Sequence, residues 1–194
     1  MLMMDKNNLL KKVIFLVALA LPLAAWAFVK PARVLAPGLE GVTCEGLLCV
    51  DDPARRAEAA ALYRDAFQFV QTSVGAMQVE PRAVFCSTAA CSEKFGLLRR
   101  NAYNVGTFAV VIGDRGWKPY FVRHELIHHL QNERLGSLRT WLFKPAWFRE
   151  GMAYSLSGDP RRPLPQPLQG YRSEFEGWFR PVGLAKLWVE AEKL

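Results

Sequence analysis

The apolar and polar positions of this chain fall into successive blocks with different periods. Residues 13–29, VIFLVALALPLAAWAFV, carry no charge and show no period, which predicts a segment that enters or crosses a membrane. Residues 29–41, VKPARVLAPGLEG, hold two prolines and two glycines without periodicity, and read as a tether. Asp52-Pro53 then supplies a helix N-cap and a first-turn proline. After it, Leu62, Ala66 and Phe69, and in parallel Tyr63, Phe67, Val70 and Val74, recur at three- and four-residue steps as far as Gly75. That spacing predicts an amphipathic helix.

Two short runs rich in β-branched or aromatic residues, RAVFC at 82–86 and TFAVVI at 107–112, predict strands. A helix is expected over 119–135, with Phe121, Leu126, Ile127 and Leu130 as apolar positions and Gly136 as its stop. Another is expected over 146–156 after Pro145, followed by the proline-rich loop DPRRPLPQPLQG. A last helix runs from about 171 toward 194, broken near Pro181. The pattern is that of an α+β chain: a hydrophobic segment at 1–28, a tether at 29–43 and one folded domain at 44–194.

A length of 194 residues suits one domain, and 51% hydrophobic against 22% charged residues is the balance of a folded globule. The net charge of +7 is modest, and no Lys/Arg tract is interleaved with aromatics, which argues against a nucleic-acid partner. Lys6, Lys11 and Lys12 precede the apolar run, so the remainder of the chain is expected outside the cytoplasm. Ala25-Trp26-Ala27 fits a signal-peptidase site, yet the run also reaches the lower limit of a bilayer span, about 17 residues. A cleaved signal peptide and an uncleaved anchor, with the membrane as a partner, both remain open. The four cysteines form two equally spaced pairs, Cys44 with Cys49 and Cys86 with Cys91. In an exported chain these predict two local disulfides, each closing a turn-sized loop, rather than a four-thiolate zinc site.

The chain has three histidines, and all lie in VRHELIHHLQ: His124, His128 and His129. On a helix, His124 and His128 are four residues apart and share a face, so both imidazoles can reach one ion. Glu125 projects beside that ion and can hold a water on it. His129 is rotated about 100° from His128, which leaves it a place next to the ligands or on the surface. A catalytic zinc takes three protein ligands and keeps a fourth position open. No histidine remains to serve, so a carboxylate must. Glu133 lies too far along the same helix, Asp114 precedes it, and Asp159 follows the next one. Glu150 is best placed, on a second helix, with Gly151 beside it removing a side chain where two helices approach.

HELIHH followed by PAWFREGMAYSL resembles the gluzincins, zinc metallopeptidases with an H-E-x-x-H helix and a downstream glutamate helix. The resemblance covers about residues 107–160 and implies a small zincin-like domain. It implies one Zn²⁺ held by His124, His128 and Glu150, with Glu125 as general base. It also implies that the strand at 107–112 edges the cleft, where a peptide or protein substrate adds by strand pairing. Gluzincins supply a downstream Tyr or His to the oxyanion. Here the choices are Tyr154, which can instead support a zinc ligand from behind, and Tyr171 at the start of the last helix. The expected activity is hydrolysis of peptide bonds outside the cytoplasm. The rivals are a non-catalytic zinc-binding interaction or assembly module of the envelope, and a metal-free anchored protein.

Overall fold

The computed structural model describes residues 10–18, 20, 21 and 29–194. Residues 10–18, 20 and 21 are helical, and the rest of the apolar run lies outside the described residues. Among those described, no helix is long and apolar enough to cross a membrane.

The fold is α+β. One sheet is built from β1 (Thr43–Glu45), β2 (Leu48–Val50), β3 (Arg82–Phe85), β4 (Ala102–Val105) and β5 (Ala109–Ile112), in the order β1-β2-β3-β5-β4. The three central strands run parallel, while β1 and β4 pair antiparallel at the two edges. Both local disulfides are present, Cys44 to Cys49 across the β1–β2 hairpin and Cys86 to Cys91.

Alternation along β3 sends Ala83 and Phe85 into one core and Val84 into another, so the sheet is covered on both faces. The larger core packs α1 (Arg56–Ser73), α3 (Pro119–Leu135), α5 (Ala146–Leu156) and α6 (Leu168–Lys193) on the sheet. Tyr63, Ala66 and Val70 of α1 are buried there, as their spacing predicts. Each large apolar side chain so buried contributes about 1.5–3 kcal/mol. α6 starts earlier than expected, and its helical geometry breaks at Gly183 (φ 63°), two residues past Pro181.

Three expectations are corrected. Residues 29–43 are no tether. Two 3₁₀ helices, Lys30–Leu35 and Pro37–Glu40, lie on the second core with Val34, Pro37 and Val42 buried. Arg33 donates to the Lys94 carbonyl (2.8 Å) and Arg82 to that of Val34 (2.8 Å). The prolines that suggested a loop occupy first turns, where a missing N–H costs nothing. Next, the strand expected at 107–112 begins only at Ala109 and is not an edge, because β3 and β4 flank it on both sides. The edge is β4. Last, two short helices went unexpected, α2 (Ala89–Lys94), capped by Thr88, and α4 (Ser137–Phe143), which follows α3 and packs on it.

Candidate metal centre

α3 is buried along most of its length, with Val122, Leu126, Ile127 and Leu130 packed into the larger core. That packing turns His124 and His128 toward α5, whose Glu150 faces them. The Nε2 atoms of His124 and His128 lie 3.1 Å apart. The Glu150 carboxylate stands 3.5 Å from His124 Nε2 and 3.7 Å from His128 Nε2. Ligands at about 2.0–2.1 Å from a tetrahedral zinc are separated by about 3.3 Å, so this triangle has the size that such an ion requires. Among the described residues, these three form the one His/Cys/Asp/Glu group positioned to share an ion.

The triangle is set by contacts one layer out. Gln131, fully buried, accepts a hydrogen bond from His128 Nδ1 (2.9 Å) and donates through Nε2 to the Arg149 carbonyl (3.0 Å). It thereby leaves the Nε2 lone pair of His128 free for an ion and ties the histidine helix to the residue preceding Glu150. Gly151 sits so close to α6 that a Cβ would collide with the Tyr171 carbonyl and the Phe175 side chain. A larger residue there would push Glu150 out of reach.

Electrostatics agree with the geometry. Burial pushes the Glu125 carboxyl up, against the pull of His124 and His128. Burial opposes charge on His128, but facing Glu150 outweighs it and raises its pKa to about 9. Glu150 is likewise penalised by burial, yet the two histidines hold it well below the ordinary carboxylate range. The shifts of His128 and Glu150 describe a mutual attraction across the triangle. Burial, and then Glu150, push the Tyr154 hydroxyl up to about 12, so it remains a proton donor at neutral pH.

A cleft of about 1110 Å³ opens over these residues. Its walls are β4 through Ala102, Tyr103 and Asn104, the outward faces of α3 and α5, and α4 through Leu138 and Trp141. Glu125 lines it beside the triangle. Tyr154 also lines it, with its ring edge-on to that of His124 at 4.4 Å. The other expected site residues lie elsewhere. Tyr171 is absent from the cleft wall, since its helix is held against Gly151 through its backbone. His129 is fully buried on another face of α3, where its Nε2 lies 2.8 Å from the Val79 carbonyl and 3.2 Å from Glu133. It supports the loop before β3, not the ligands.

The discarded carboxylates are engaged as well. Glu133 accepts from the backbone of Gln78 and Val79, Asp114 accepts from Ser92, and Asp159 binds Arg161 through both oxygens. Two features escaped the reading of the sequence. Gln131 was legible as the residue three beyond His128, a spacing that shares its face. The cleft arginines Arg99, Arg100 and Arg161 carried no local signal, because they come from two loops that only the fold joins. No protein-family model, curated protein or solved structure matches this chain.

Proposed function

We propose that the chain is a zinc-dependent hydrolase that cleaves peptide bonds, with His124, His128 and Glu150 as the metal ligands. The observation that carries this reading is the 3.1, 3.5 and 3.7 Å triangle of donor atoms on the wall of an open cleft, with Glu125 beside it. When bound there, zinc lowers the pKa of a water to about 7 and polarises a carbonyl. Glu125 takes a proton from the attacking water on its carboxylate and delivers it to the leaving amine nitrogen. Its burial favours the protonated state between those two transfers. Tyr154 offers its hydroxyl hydrogen to the developing oxyanion. The substrate backbone pairs with β4, whose outer edge carries no strand among the described residues.

The two disulfides suit an oxidising compartment, as the charge-free run at 13–29 also implies. The deciding experiment is Glu125→Gln. Zinc should still bind with one ion per chain, while peptide hydrolysis falls by about 10²–10⁴-fold. Undiminished turnover in that variant would remove Glu125 from the mechanism.

A further inference from the structure

α4 is a helix turned inside out. Its polar Thr140 is buried and directs its hydroxyl toward the Gln131 carbonyl (3.4 Å), while Leu138, Trp141 and Leu142, at i, i+3 and i+4, face outward with Phe143. Leu138, Trp141 and Phe143 are each 69% exposed. A surface helix ordinarily turns such a stripe inward, and single exposed apolar residues call for no explanation; this group is neither. Contacts extend it across the end of the sheet. Ser137 and Phe108 both abut Gly106, and Phe108 is exposed. The Phe108 carbonyl accepts from the Arg82 backbone, and the Arg82 guanidinium binds the Leu35 carbonyl. Leu35 is exposed in turn, six residues after Val29, the end of the charge-free run. A 3₁₀ helix rises about 2 Å per residue, so that run joins the domain within roughly 12 Å of this end.

We propose that this end of the domain, α4 together with Phe108 and Leu35, docks on a lipid bilayer. The occupant follows from what the chain brings with it. The run at 13–29 is long and apolar enough to enter lipid, and its last residue, Val29, is six residues from Leu35 of this surface. Tryptophan and leucine on one face of a helix, with an exposed phenylalanine at its end, suit the headgroup boundary, and Arg139, exposed on the same helix, suits anionic headgroups. Leu138 and Trp141 also line the cleft, so docking brings the cleft mouth to the membrane surface. Resting on the hydrolase reading, this names the substrate class as polypeptide segments lying at, or emerging from, the bilayer.

The test uses the full chain in vesicles of phosphatidylethanolamine and phosphatidylglycerol whose acyl chains carry bromine, a quencher of tryptophan emission. Wild type should lose more emission than Trp141→Phe, by the component that Trp141 contributes, because Trp26 and the other tryptophans are common to both. A Leu138→Gln/Leu142→Gln variant, which keeps every tryptophan, should lose that same component, with circular dichroism checking its fold. Equal quenching in all three proteins overturns the proposal. So does a concentration-dependent dimer in detergent that these substitutions abolish, which would assign the surface to a second copy. Quenching reports lipid contact whether or not the cleft hydrolyses anything, so loss of the hydrolase reading and loss of this one are separable.

Discussion

Two clusters of buried charge lie close together in this domain, and they are built on opposite principles. In the first, Asp159 is gripped by Arg161 through both oxygens, and Arg172, fully buried, donates to the carbonyls of Tyr154, Asp159 and Arg161. Every strong charge there has a partner of opposite sign or a carbonyl. In the second, His124, His128 and Glu150 aim lone pairs at a common point, and Gln131 holds His128 so that it does so. The first cluster is complete within the protein. Under the proposed function a cation completes the second, and that is the difference between a structural ion pair and a metal centre.

Substitutions that remove one member should therefore differ in their response to zinc. Asp159→Ala removes the carboxylate that binds Arg161 and faces the buried Arg172 guanidinium at 3.9 Å, and is expected to cost about 3–5 kcal/mol of folding stability, with or without zinc. Glu150→Ala removes the partner that holds His128 charged, so it too costs metal-free stability below about pH 9. What sets it apart is that it should abolish stabilisation by zinc, which for wild type reaches about 2.7 kcal/mol at a hundredfold excess over Kd. Urea unfolding of both variants, with and without zinc, makes the comparison. A zinc response kept by Glu150→Ala, or lost by Asp159→Ala, would dissolve the distinction drawn between the clusters.

The link between the clusters' helices offers a finer test. Gln131→Ala deletes the acceptor for His128 Nδ1 and the donor to the Arg149 carbonyl, so zinc affinity should fall by about 10–100-fold. Gln131→Glu, which retains the acceptor, should recover much of that affinity. A competition titration against a zinc-binding dye reads both. If the two variants behave alike, Gln131 fills space and does not orient the histidine.

Much of the site was legible because it depends on helix geometry alone. Residues four apart share a face in any α-helix, so HELIH placed His124 and His128 together before the fold was known. Glu150 followed by elimination and by the gluzincin-like wording around it. What stayed hidden depends on tertiary choice. AYNV mixes polar and apolar residues because β4 is a half-buried edge, and such a strand lacks the signature that made AVVI in β5 conspicuous. KPARVLAPGLE reads as a linker by composition, and only the burial of Val34 and Val42 against the second face of the sheet makes it part of the domain. The rotation per residue took His129 off the ligand face but could not say that the third face of the helix is buried, where it meets Val79 and not solvent.

A last test of the comparison uses pH. In the metal-free chain, His128 has a pKa of about 9 against an ordinary 6.5. A histidine raised on folding contributes stability that is fully present below 6.5 and is lost as pH rises through about 9. The Asp159 carboxyl moves the other way. Burial works against its charge, but Arg161 prevails and lowers its pKa, so its contribution is present above the ordinary 3.8 and lost only in acid. Between pH 6.5 and 9 the Asp159 cluster is therefore silent, and a decline in metal-free stability over that window reports on the His128–Glu150 pair. Zinc should flatten the decline, since a ligating histidine is already neutral and its proton has left on binding. The same linkage requires zinc affinity to rise across the window. Denaturant midpoints at pH 6 and pH 9.5, with and without zinc, provide the measurement. A metal-free midpoint that does not move would show that His128 is not held charged by Glu150, and the triangle would then owe its shape to packing alone.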